Sequence, residues 1–156
     1  MNISIQFDAH RAITALDALA DPALAPRAAK VAAETYHGDI LDWIGGGHAF
    51  TTHTGALEQS IGWMPEGDGA LVYAQNEVAP YLEFGTGTHG PKHQPYWIKP
   101  KEGRKALKFP AGPGVNVFRR GVLHPGIEAT PYFFADQSAR QEHMAEAVLA
   151  DIARRL

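Results

Sequence analysis

The chain reads as an α+β fold, an antiparallel sheet of four to five strands packed by N-terminal helices and a long C-terminal helix. Three observations predict it. Helix-period segments with capping residues stand at both ends, short strand-like segments lie in pairs between them, and turn residues separate the members of each pair. The 156 residues suffice for one domain with its own core, and no internal repeat or linker interrupts them. A single domain over residues 1–156 is therefore expected.

Taken in order, residues 3–7 (ISIQF) alternate apolar and polar side chains, the strand period. Asp8 is placed to cap a first helix, with Ile13, Leu16 and Leu19 on one face. Asp21 and Pro22 form a second cap-and-first-turn pair, and Pro26 serves equally well. Residues 27–44 (RAAKVAAETYHGDILDWI) then carry Val31, Tyr36, Ile40, Trp43 and Ile44 as the apolar stripe of a long helix. Gly45, Gly46 and Gly47 end it, since glycine enters the left-handed cap conformation freely. Thr52 or Thr54 caps a short helix carrying Leu57 and Ile61.

Two strand candidates, SIGWMPE and GALVYAQN, flank Gly67, Asp68 and Gly69 and predict a hairpin. VAPYLEF is one turn of helix or an extended bend, closed by Gly85. A Pro/Gly-rich loop follows, from Thr86 to about Gly103. KALKFPA and VNVFRRGVL predict a second hairpin across GPG, so residues 86–120 form an extended basic loop-hairpin region. HPGIEATP is a loop. Pro131 is expected to open the last helix, where Phe133, Met144, Val148 and Ile152 keep helical spacing. Arg154 and Arg155 near its end suit the helix dipole.

Composition narrows the function classes. An apolar fraction of 45% is ordinary for a soluble domain, and no apolar run approaches a membrane span. Residues 1–11 lack the basic-then-apolar pattern of a signal peptide, so none is expected. The chain has no cysteine, which excludes disulfides and thiolate metal sites. The net charge of −3 is unevenly laid out. Residues 47–91 hold five acidic side chains and no basic one, whereas residues 92–120 hold eight basic and one acidic. Such asymmetry bears on partners rather than on fold.

Four kinds of chemistry have candidate residues here. In YLEFGTGTHG (residues 81–90), Gly85 and Gly90 have the spacing of a phosphate-binding loop, but Pro91 takes the lysine position and removes an amide. The glycines are better read as setting a turn with positive φ at Gly85 or Gly87. His48, His53, His89, His93 and His124 fall in loops without the spacing of a metal motif, and solvated loop histidines are the simpler reading. No G-x-S-x-G elbow or carboxylate pair marks a nucleophile or an acid–base site, and Glu83 is expected to bond the glycine turn beside it. The basic segment interleaves Tyr96, Trp97, Phe109 and Phe118, as single-strand nucleic-acid surfaces do, yet the chain as a whole is acidic. The plainer use of the positive strip is to pair with the acidic stretch at 47–91. No catalytic residue, cofactor or metal is expected.

Several phrases taken together resemble one family. TGALEQSI, APYLEFGTGTHGP, YWIKPKEGRKALKFPA and RRGVLHPGIEATPYF, followed by an amphipathic helix, are similar in order and spacing to the minor tail and tail-completion proteins of long-tailed bacteriophages and prophages. The pieces are Gly55 to Ile61, Tyr81 to Thr86, Lys105 to Phe109, and His124 to Tyr132. They cover about two thirds of the chain, from near residue 50 onward. The resemblance implies a virion protein of the neck without catalytic residues, assembled as a ring, usually hexameric. Its partners are then itself and neighbouring head-closure, tail-terminator or tail-tube proteins. A tail terminator capping the tube is the alternative role, and a small His-dependent metal hydrolase is the alternative from another class. In a ring, Tyr96, Trp97, Lys105, Lys108, Phe118, Arg119 and Arg120 would meet Glu77 and Glu83 of the neighbour, with lumenal DNA the competing partner for the basic side chains. Gly85, Gly87, His124, Pro125 and Gly126 are expected to shape the backbone.

Overall fold

A computed structural model describes residues 17, 19–51 and 53–155. The strand expected at residues 3–7 lies outside the described residues, and so does the helix expected after Asp8 apart from Asp17 and Leu19, which are helical. The chain divides into two compact units, one running to Asn76 and resuming at Ala135, the other Glu77–Phe134.

The first unit is built on helix α1 (Leu24–Gly45). Its start is prepared by Asp21, whose carboxylate accepts the Ala23 amide at 2.9 Å. Pro26 falls in the first turn, where its missing N–H costs no ladder bond. Of the expected stripe Ile40 and Ile44 are buried and Val31, Tyr36 and Trp43 half-buried, and Ala33 is buried as well. The helix stops where Gly46 and Gly47 donate back to the Asp42 and Ile44 carbonyls, and Gly47 takes φ +74°. A 3₁₀ turn, Glu58–Ser60, stands where a short helix was expected, with the Thr54 hydroxyl accepting the Ala56 amide.

Strands β1 (Ile61–Glu66) and β2 (Gly69–Ala74) form the first predicted hairpin, antiparallel in register Ile61 to Ala74 and Glu66 to Gly69. Alternation sends Ile61 into the core, while Met64 and Leu71, opposite each other on the other face, are 46% and 43% exposed. Helix α1 packs against this hairpin and against the last helix of the unit, Gln137–Ala153. Arg27 of α1 reaches Asp151 at 3.2 Å, and Asp151 also receives Arg154 and Arg155. Arg140 is buried beneath the rings of Tyr36 and Trp43, 5.5 and 5.7 Å from their centroids.

The second unit holds helix α2 (Ala79–Phe84), strands β3 (Tyr96–Ile98) and β6 (Val122–His124), and strands β4 (Leu107–Gly112) and β5 (Val115–Arg119). The helix Gln137–Ala153 of the first unit is α3. The architecture is mixed helix and antiparallel strand, as expected. Among the described residues the strands do not join into one sheet of four to five. They pair two by two, β1 with β2, β3 with β6 and β4 with β5. Period and turn chemistry identify a strand and its hairpin partner, but they carry no information on which hairpins lie side by side.

Candidate assembly interface

The candidate functional residues fall mainly on three pieces of the unit Glu77–Phe134. The first is a clamp made of residues 79–90 and 125–134. Helix α2 presents Glu83 in its last turn, where the side chain is only 7% exposed. Its Oε2 accepts the amides of Tyr132 and Phe133, both at 2.9 Å, and its Oε1 accepts that of Phe134 at 3.1 Å. Three charge-assisted bonds take the place of water around a buried carboxylate. The Leu82 carbonyl adds a fourth link, from the Thr130 amide at 2.7 Å.

The glycine turn closes the clamp from the other side. Thr86 donates its amide to the Ile127 carbonyl at 2.9 Å, and its hydroxyl accepts the Ile127 amide at 3.0 Å. Thr88 gives both amide and hydroxyl to the Pro125 carbonyl, at 2.6 and 2.8 Å. Gly87 at φ +63° and Gly126 at φ +106° lie so close that a Cβ on either would collide with the other strand's backbone. Gly85 has φ +70°, as its turn role requires. His124 accepts the Gly126 amide through Nδ1 at 3.0 Å.

These bonds correct two expectations. Glu83 does not bond the glycine turn beside it, and it is not available to a neighbouring subunit, because its oxygens are committed to residues 132–134 inside the fold. Pro131 does not open the last helix. With the next three amides held by Glu83 and Asp136 in the left-handed region at φ 48°, α3 begins at Gln137. Tyr132 is 1% exposed, and its hydroxyl pKa is pushed up to about 12, first by burial and then by the Glu83 charge.

The second piece is the β3–β6 ladder. It sets Tyr96 opposite His124, with ring centroids 5.5 Å apart, and Trp97 opposite Leu123. Trp97 is 62% exposed and Leu123 49%. Beside it, Tyr81, Phe84, Pro91, Lys92 and Tyr96 line a groove of about 620 Å³.

The third piece is the β4–β5 hairpin. Lys108 pairs with Phe118, placing the two on one face, whereas Leu107, Phe109, Val117 and Arg119 share the other. The basic cluster expected as one patch is thus split. Lys108 sits beside Phe118, which is 60% exposed, and Arg119 lies behind, opposite half-buried Leu107. Lys105 precedes the hairpin and Arg120 follows it, both exposed, as is Glu77 at the unit's start. Within this unit no other element packs substantially on the hairpin.

The loop histidines are scattered. His48 stacks on Trp43 at 4.8 Å in the first unit, while His93 contacts the Thr88 carbonyl through Nδ1 in the second. Among the described residues no group of three or more His, Asp or Glu is placed to hold a metal ion. No described helix is long and apolar enough to cross a membrane.

The clamp contacts of Thr86, Thr88 and Glu83 lie beyond what the sequence predicts. One signal for Glu83 was present. It is an acid on a short apolar turn in a 45-residue stretch without a single basic residue, so backbone amides were its natural partners. No family model, curated protein or solved structure matches the chain.

Proposed function

We propose that this chain is a non-enzymatic virion protein of a long-tailed phage, which forms a ring at the neck and completes the tail or joins it to the head. The observation that carries this reading is the exposure of its three aromatic anchors. Tyr96, Trp97 and Phe118 are 42%, 62% and 60% exposed. They lie in the segment that holds eight basic side chains to one acidic. Large exposed aromatics rimmed by charge are the usual make-up of a protein-binding surface.

The clamp supports the same reading. Two of the four phrases that carry the family resemblance, residues 81–86 and 124–132, lie about forty residues apart and lock directly onto each other. Residues that resemble a family because of backbone shape are expected to interlock in this way. In the ring the β1–β2 and β3–β6 ladders become parts of the larger antiparallel sheet of four to five strands. Assembly takes place in the host cytoplasm, and the ring remains in the virion neck.

Disruption of the gene tests this. Filled heads and complete tails that never join are expected. Wild-type virions in the mutant would overturn the reading, and tails of uncontrolled length would favour a terminator capping the tube. A gene position between those for head closure and the major tail protein is expected as well.

A further inference from the structure

We propose that the Lys108–Phe118 face of the β4–β5 hairpin packs on the Met64–Leu71 face of the β1–β2 hairpin in a neighbouring copy of this chain. The proposal rests on the reading of the chain as a ring subunit and names the two patches that would meet.

The first argument is charge. Along residues 58–77, which carry β1–β2, the formal charges are all acidic: Glu58 before it, Glu66 at its end, Asp68 in its turn and Glu77 beyond it. Around β4–β5 they are almost all basic: Arg104, Lys105, Lys108, Arg119 and Arg120. Glu66 and Asp68 are exposed, and so are Lys108 and Arg120. Opposed patches set partner choice and register.

The second argument is apolar pairing. Met64 and Leu71 are cross-strand partners on the outer face of β1–β2, and Phe118 stands alone beside Lys108 on the outer face of β4–β5. Each face is a small apolar centre with charge at its rim, the usual anatomy of an interface.

The third argument is the incompleteness of the ladders. A two-stranded hairpin is marginal in water unless a third strand or another layer covers it. β1–β2 has α1 on its inner face, whereas β4–β5 has no comparable layer within its own unit. Laying β4–β5 on the outer face of a neighbour's β1–β2 would supply that layer. Because the two patches differ, the contact is head-to-tail, and repeated by rotation it closes a ring.

The absence of cysteine makes the test clean. Phe118→Cys and Leu71→Cys chains carrying tags of different size are mixed and oxidised. A disulfide-linked pair containing one of each is expected, at ten times or more the yield of either variant alone. Light scattering of the unmodified chain over a concentration series reports assembly separately. A closed oligomer whose mixed variants give no link would overturn this interface and leave the ring reading intact. An unmodified chain that stays monomeric throughout, with no link formed, would overturn both. Lys108→Glu is expected to raise the concentration needed for assembly tenfold or more, and Glu66→Lys in the same chain to recover part of it. A Lys108→Glu chain that assembles normally but loses binding to double-stranded DNA would assign this face to DNA and overturn the proposal.

Discussion

In the clamp, a buried carboxylate takes three consecutive amides, two threonines fasten a carbonyl and an amide across the turn, and glycines stand where a Cβ has no room. In the β4–β5 hairpin, which lies in sequence between the two halves of the clamp, Phe118 and Val115 are 60% and 56% exposed, and Gly114 turns in open space. Both regions looked alike as sequence, rich in Gly, Pro, aromatics and charge. They differ in whether the polar and apolar groups find partners inside their own unit. The clamp is complete within the chain, and changes there should appear as lost stability. The hairpin leaves its outer face uncovered, and changes there should appear as lost association.

The largest effect should come from Glu83→Gln. The neutral amide offers one acceptor oxygen and turns its own donors toward the three amides. Hydrogen bonds to a charged group contribute about 1.5–3 kcal/mol each and are not additive, so a loss of about 3 kcal/mol is expected. Hydrogen exchange of the Tyr132, Phe133 and Phe134 amides should then accelerate roughly a hundredfold. Unchanged protection would show that the carboxylate is not what holds them.

Gly87→Ala should follow closely. The new methyl group meets the Pro125 carbonyl, and φ +63° strains any side-chain-bearing residue. Steric overpacking and left-handed strain each cost on the order of 1–3 kcal/mol, for a combined loss of about 3 kcal/mol in urea unfolding. Gly114→Ala is the matched control in the hairpin. It has φ +74° but nothing within contact of the added carbon, so only the conformational cost remains, about 1 kcal/mol.

The pair of glycines shows what the sequence could and could not convey. Both were legible as turn residues, because the local turn chemistry of each lies within a few positions. The first hairpin and the stripe of α1 were legible for the same reason, and so was the second hairpin as far as Arg119; the run expected to continue to Leu123 breaks there, and Val122–His124 pairs instead with Tyr96–Ile98 inside the expected loop. That Gly87 faces Pro125 was not legible, and neither was the bond from Glu83 to residues 132–134, since contacts over about forty to fifty residues leave no local period. The start of α3 was misplaced for that same cause. Pro131 is a sound first-turn residue, but a distant carboxylate had already taken the amides that a helix would need. Tyr96, Trp97 and Phe118 were legible as aromatic residues in a basic segment, but not as exposed ones. The β4–β5 register, which parts Arg119 from Phe118, became apparent only with the ladder.

Alkaline pH probes the clamp more gently. Tyr132 has its hydroxyl pKa raised from 10.0 to about 12 in the folded chain. A group whose folded pKa is raised contributes stability that is whole below the unfolded value and lost as pH rises through the folded one. Stability should therefore hold to about pH 10 and fall between about pH 10 and 12, by on the order of 2–3 kcal/mol in total. At pH 11 roughly half of that is gone. Tyr132→Phe should flatten this part of the curve, measured as the urea midpoint against pH. A slope that survives the substitution would place the alkaline sensitivity elsewhere.

The smallest effect on the fold, and the sharpest test of the contrast, is Phe118→Ser. The side chain is 60% exposed and pairs across the strand only with exposed Lys108. Substitutions at such a position usually move stability by no more than about 0.5 kcal/mol. Serine also removes an apolar ring from solvent, which favours the isolated subunit. The urea midpoint at low concentration should thus match that of the unmodified chain, while the concentration at half-assembly rises by about tenfold or more, the loss of one aromatic anchor. A chain that unfolds early and assembles at the usual concentration would reverse the contrast, and Phe118 would then belong with the clamp as a stabilising residue.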